Sequence, residues 1–100
     1  MTVFIAKDWM DPDGVIVASG ERLARQVLAA LCRSESILIR TEGLEGISSS
    51  YFNIFFNLIR DELGPDSLDR VTFECASPIH RAILERSLSA AKNAVIRNAS

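Results

Sequence analysis

Residues 37–52 read Ile37-Leu38-Ile39-Arg40-Thr41-Glu42-Gly43-Leu44-Glu45-Gly46-Ile47-Ser48-Ser49-Ser50-Tyr51-Phe52, and the order of residue types in them decides the fold. Ile37-Leu38-Ile39 is a continuous apolar run of strand length, as expected of a central strand covered on both faces. A glycine-punctuated turn follows, and then three serines stand directly before an apolar helix. The first N–H groups of a helix have no internal partners, and the macrodipole makes that end positive. A serine there can cap the helix or carry a stabilised phosphate, and both roles stay open on the residues alone.

Downstream, the helix expected over about residues 50–63 is apolar round most of its circumference, through Tyr51, Phe52, Ile54, Phe55, Phe56, Leu58 and Ile59. One polar stripe remains, made of Ser49, Asn53, Asn57 and Arg60 at spacings that keep them on one face. Gly64-Pro65 ends this helix, because proline cannot continue it. Val71, Phe73 and Cys75 alternate with Thr72 and Glu74 as in a half-exposed strand. Ser77 with Pro78 opens a last helix, with Ile83, Leu84, Leu88, Ala91 and Val95 facing inward.

Upstream, Val3-Phe4-Ile5-Ala6 reads as a short strand and Asp8 to Gly14 as a loop ending in a Pro-Asp-Gly turn signal. Val15-Ile16-Val17-Ala18 reads as a second strand, antiparallel to the first. From Ser19, taken as a cap, Leu23, Ala24, Val27, Leu28 and Leu31 recur at helical spacing with Arg22, Arg25 and Arg33 off that face. The alternation from there on calls for right-handed crossovers between parallel strands starting near Val15, Ile37 and Val71. Their carboxyl ends share one edge, where ligands of open α/β sheets bind. Ser19-Gly20, Ser48 to Ser50 and Ser77 are expected on that rim.

The strand, serine cluster and apolar helix, followed by Arg70-Val71-Thr72-Phe73-Glu74 and Ser77-Pro78, resemble the STAS-like domain, a small bacterial relative of the STAS anti-anti-sigma factors. The likeness runs from about Ser19 to Ala91. It implies an α/β, STAS-like single domain with a roughly four-stranded mixed sheet and three main helices. The Asp-Ser-Ser-Gly-Leu run of the STAS pattern falls on Ser48, Ser49, Ser50, Tyr51 and Phe52. Ser49 thereby takes the phosphoacceptor position, with Ser48, Ser50, Asn53 and Asn57 as partner-binding residues. Ser48 replaces the acidic residue of that pattern and Tyr51 its small glycine. The resemblance implies a non-enzymatic antagonist of an anti-sigma factor, whose partner is a histidine-kinase-like ATPase.

Composition bounds the alternatives. One hundred residues, 48% of them hydrophobic, suffice for one core and one domain. The formal charge is −2, with acids and bases interspersed, so no basic field marks a nucleic-acid partner. The apolar run at the N-terminus stops after a few residues, short of a membrane span or signal core, which gives the expectation of a cytoplasmic protein. Cys32 and Cys75 sit in apolar contexts without close spacing, so reduced core thiols are expected. Asp8, Asp11, Asp13 and Gly14 lack the first ligand and closing glutamate of a calcium loop, and no metal or other cofactor is expected. Trp9 in that loop is expected to pack, His80 to lie on the surface in the first turn of the last helix, and Arg81, Arg86, Lys92 and Arg97 to form a solvated basic face of it.

Two other functional classes remain. The chain could serve as a structural homodimerising subunit that pairs through an open sheet face. Cys75-Ala76-Ser77-Pro78-Ile79-His80-Arg81 has the cysteine-to-arginine spacing of protein tyrosine phosphatases. That loop contains no glycine, and Pro78 contributes no amide to a phosphate cradle.

Overall fold

The computed structural model describes residues 1–33, 36–44, 47–75 and 77–99, with side chains through Asn93. Strand β1 spans Thr2–Ile5, helix α1 Ile16–Leu31, strand β2 Ile37–Arg40, helix α2 Ser49–Leu63, strand β3 Val71–Glu74 and helix α3 Pro78–Ala99. Short 3-10 segments cover Ala6–Trp9 and Pro65–Arg70. The architecture is α/β, with a three-stranded sheet in the order β1-β2-β3 and both pairings parallel.

The expected strand Val15–Ala18 is instead the entry to α1, so the antiparallel pair and the fourth strand are absent from the described residues. β-branched residues favour strands only where a pleated neighbour receives them. Here the helical period runs back through Ser19 to Ile16, and the Ser19 Oγ donates to the Val15 carbonyl oxygen at 2.8 Å. Arg22 also ties α1 to the preceding loop, its guanidinium donating to the Met10 carbonyl oxygen at 2.9 Å. The parallel strands therefore start at Thr2, Ile37 and Val71 rather than at Val15, Ile37 and Val71.

A parallel sheet in the order 1-2-3 with right-handed crossovers places its helices on one face. Here α2 lies between α1 and α3 and packs on both. Thr2, Phe4, Ile37, Ile39, Val71 and Phe73 point toward that layer, while Val3, Leu38 and Thr72, then Ile5, Arg40 and Glu74, form two registered rows on the other face. Among the described residues the central strand is thus covered on one face only, a correction to the reading of Ile37-Leu38-Ile39. The alternation within it is Ile37 and Ile39 buried, Leu38 half-exposed and Arg40 exposed.

The core centres on the aromatic face of α2. The ring of Phe73 lies 5.4, 5.1 and 5.7 Å from those of Phe52, Phe55 and Phe56, each edge-on. Pairs of this geometry add about 0.5–1.5 kcal/mol each beyond their area burial. Phe55 is fully buried, as its place on the helix led one to expect. Trp9 packs edge-on against Phe4 at 6.4 Å, in keeping with a packing role. In α3, Leu84 and Ala91 are buried and Ile83 and Leu88 are half-buried, while the Val95 and Arg97 side chains lie outside those described.

Helix α2 ends at Gly64, whose N–H donates to the Arg60 carbonyl oxygen at 2.8 Å. Cys32 departs from the expectation of a core thiol, since it caps the C-terminus of α1 and is exposed, whereas Cys75, half-buried just past β3, packs against the core. Both are free, and Cys32 is exposed because the helical period that buries Leu31 turns the next residue outward. No helix among the described residues is long and apolar enough to cross a membrane.

Candidate functional site

The serine cluster stands where the chain returns from the carboxyl end of β2 to enter α2. Thr41 closes the turn after β2 by accepting the Leu44 N–H at 3.0 Å, with Gly43 at a φ of 82° that a side chain would strain. The Thr41 hydroxyl and N–H both donate to the Glu74 carbonyl oxygen, at 3.1 and 3.2 Å, fastening this turn to the end of β3. Glu45 and Gly46, part of the same connection, lie outside the described residues.

Ser48 is the residue before the first turn of α2, with extended backbone, and its carbonyl accepts the Tyr51 N–H at 3.1 Å. Its hydroxyl makes no capping hydrogen bond. Ser49 and Ser50 are exposed in the first helical turn, and Asn53, four residues beyond Ser49, is exposed on the same face. These side chains offer hydroxyls and an amide at the positive end of a fifteen-residue helix. No acidic side chain occupies that first turn.

The far end of the stripe is engaged differently. Arg60 donates to the Asn57 Oδ1 at 3.0 Å and to the Ala91 carbonyl oxygen of α3 at 3.2 Å, and it pairs with Asp61 at 2.9 Å. Asn57 and Arg60 are half-buried, so the stripe divides into an exposed N-terminal half and a half that clasps α3. The sequence showed the stripe but not this division, because Ala91 lies 31 residues away.

Ser19 does not join the rim. It is buried within the first turn of α1, where its Oγ accepts the Asp11 N–H at 2.8 Å as well as donating to Val15. Gly20 beside it is buried against α2. The Asp11 carboxylate accepts the N–H groups of Asp13 and Val15 at 3.0 and 3.3 Å, which makes it a turn-former. Among the described residues no group of three His, Cys, Asp or Glu side chains could hold a metal ion.

Ser77 precedes α3, and its carbonyl accepts the Arg81 N–H at 3.1 Å. Cys75 and His80 are half-buried and Arg81 is exposed, while Ala76, inside the phosphatase-like spacing, lies outside the described residues. On the basic face of α3, Arg86 is exposed, whereas Lys92 pairs with Asp69 at 2.7 Å.

Directly behind the serines, Tyr51 is 1% exposed and its hydroxyl has no hydrogen-bond partner among the described residues. Burial pushes its phenol well above the ordinary range. A cavity of about 320 Å³ lies away from the serines, at the amino ends of the strands, lined by Leu38, Thr72, Ser36 and Arg70 among others. No family model matches the chain, and neither a curated protein nor a solved structure matches it significantly.

Proposed function

We propose that the chain is a non-enzymatic signalling module of STAS-like type, acting in the cytoplasm, that binds a protein partner through Ser48, Ser49, Ser50 and Asn53. Asn57 supports this surface from its half-buried place beside Arg60. The observation that carries the reading is the exposure of Ser49, Ser50 and Asn53 on one helix end, beside a Ser48 hydroxyl that does not cap it. Hydroxyls released from capping are available to a partner or a kinase. By the resemblance of residues 48–52 to the STAS pattern, the partner is a histidine-kinase-like ATPase of the anti-sigma class. It transfers the γ-phosphoryl group of ATP to the Ser49 oxygen, releasing ADP and the serine proton. The product carries a charge of about −1.5 to −2 on a contact surface and breaks the complex by repulsion and desolvation.

Binding of an ATPase encoded beside this chain, measured by titration at equal foldedness, tests the reading. Ser49→Ala should bind and resist phosphorylation. Ser49→Asp should fold, because a carboxylate gains about 0.3–1 kcal/mol at a helix N-terminus, and should bind weakly. Equal binding of Ser49→Asp and wild type, with no phosphate on residues 48–50 after incubation with kinase and ATP, would sink it. Aryl-phosphate hydrolysis by the wild type that Cys75→Ser abolishes would establish the phosphatase instead.

A further inference from the structure

The strand register sets a row of residues just ahead of the sheet. Because Thr2, Ile37 and Val71 stand in register, the residues before them, Met1, Ser36 and Arg70, lie side by side, one step ahead of Thr2, Ile37 and Val71 and two ahead of Val3, Leu38 and Thr72. Members of both rows, Ser36 and Arg70 from the first and Leu38 and Thr72 from the second, line the cavity of about 320 Å³, together with Met1 and Asp69. Pockets for small ligands begin at about 300 Å³ and combine an apolar wall with a few polar groups. Leu38, half-exposed at the centre of the sheet, supplies the apolar wall.

The charges of the cavity do not balance within the chain. Asp69 is answered by Lys92 of α3, whose Nζ stands 2.7 Å from its carboxylate. Arg70 is half-buried, and among the described residues its guanidinium has neither an ion pair nor a hydrogen bond. The Ser36 and Thr72 hydroxyls are likewise uncommitted among the described residues. A guanidinium partly withdrawn from water gains most from an anion that accepts two of its five N–H groups at once, the geometry of a carboxylate. With Asp69 neutralised by Lys92, the side chains of the cavity leave one positive charge, which matches a monoanion better than a doubly charged phosphate.

We propose that this cavity is a binding site for a small aliphatic carboxylate. The carboxylate pairs with the Arg70 guanidinium and accepts from the Ser36 and Thr72 hydroxyls, while the aliphatic part covers Leu38. The site lies at the amino ends of the strands, away from the serine cluster, and is independent of the partner-binding reading.

Amide chemical-shift titration with hexanoate tests the proposal, with acetate, hexan-1-ol and inorganic phosphate as comparison probes. Hexanoate should move the amides of residues 36–38 and 70–72 saturably, acetate should bind more weakly for want of contact with Leu38, and neutral hexan-1-ol should not saturate. Arg70→Gln, with an unchanged circular dichroism spectrum, should weaken hexanoate at least about ten-fold, as expected for loss of a charge-assisted hydrogen bond. Arg70→Lys, which keeps the charge without the fork, should fall between the two and decides the matter if Arg70→Gln does not fold. Absence of saturable shifts up to tens of millimolar hexanoate overturns the proposal. So do shifts that hexan-1-ol reproduces, or hexanoate binding that both Arg70 variants retain in full. Inorganic phosphate binding more tightly than hexanoate would overturn the carboxylate assignment.

Discussion

Gly20 of α1 lies against the main chain of α2 at Tyr51. A Cβ at position 20 would stand 2.7 Å from the Tyr51 carbonyl oxygen and 2.6 Å from Cγ2 of Ile54. Glycine is present here because two helices cross with no room for a methyl group between them. The contact also fixes the first turn of α2, and with it the serines.

Gly20→Ala is expected to destabilise the chain even though alanine is the better helix former by about 1 kcal/mol. Ile54 can rotate, but a helix carbonyl cannot move without the whole of α2, and overpacking of this kind costs about 1–3 kcal/mol. The midpoint of urea unfolding should fall. A midpoint that rises would show that the two helices separate freely at this point.

Tyr51→Phe is expected to stabilise the chain near neutral pH, because a buried hydroxyl without a partner costs about 1–3 kcal/mol. The same residue sets an alkaline limit. The native phenol stays protonated while the unfolded chain ionises near pH 10, so stability is full below that pH and is lost as pH rises above it. Unfolding followed from neutral to strongly alkaline pH should show a fall that Tyr51→Phe makes shallower. Identical slopes in the two proteins would place the hydroxyl in solvent.

Ser19→Ala removes one acceptor and one donor from a buried site and leaves the Asp11 N–H without its partner. A loss of about 1–2 kcal/mol is expected, with hydrogen exchange accelerated at Asp11 ahead of the rest of the chain. Uniform exchange would mean that the loop over residues 10–15 is held by other contacts.

Phe55→Ala empties the centre of the aromatic cluster and is expected to cost about 3–5 kcal/mol. Ser49→Ala, on the exposed side of the same helix, should shift the midpoint by a small fraction of that. Calorimetry of the pair reads the two faces of α2 separately, and comparable losses would contradict the burial pattern.

How much of this was legible in the sequence differs from element to element. The extent of α2 follows from its own residues, since fifteen positions with a dense apolar arc and a Gly-Pro stop leave a helix little choice. The alternation in β3 is equally local. Val15 to Ala18 misled because four apolar, mostly β-branched residues satisfy a strand and the first turn of a helix alike. Ser19 and Arg22 decided between them by closing on Val15 and Met10.

Sequence by itself determined the α/β order, the apolar identity of β2 and α2, and the placing of three serines at a helix start, because these depend on periodicity and on turn chemistry within a few residues. Tertiary structure alone decided that β1 pairs in parallel with β2 and that the described helices gather on one face of the sheet. It also took Ser19 out of the rim and locked Asn57 and Arg60 onto α3. Each of these is set by contacts between segments far apart in the chain, whose free energies are realised only once the helix layer has closed over the sheet.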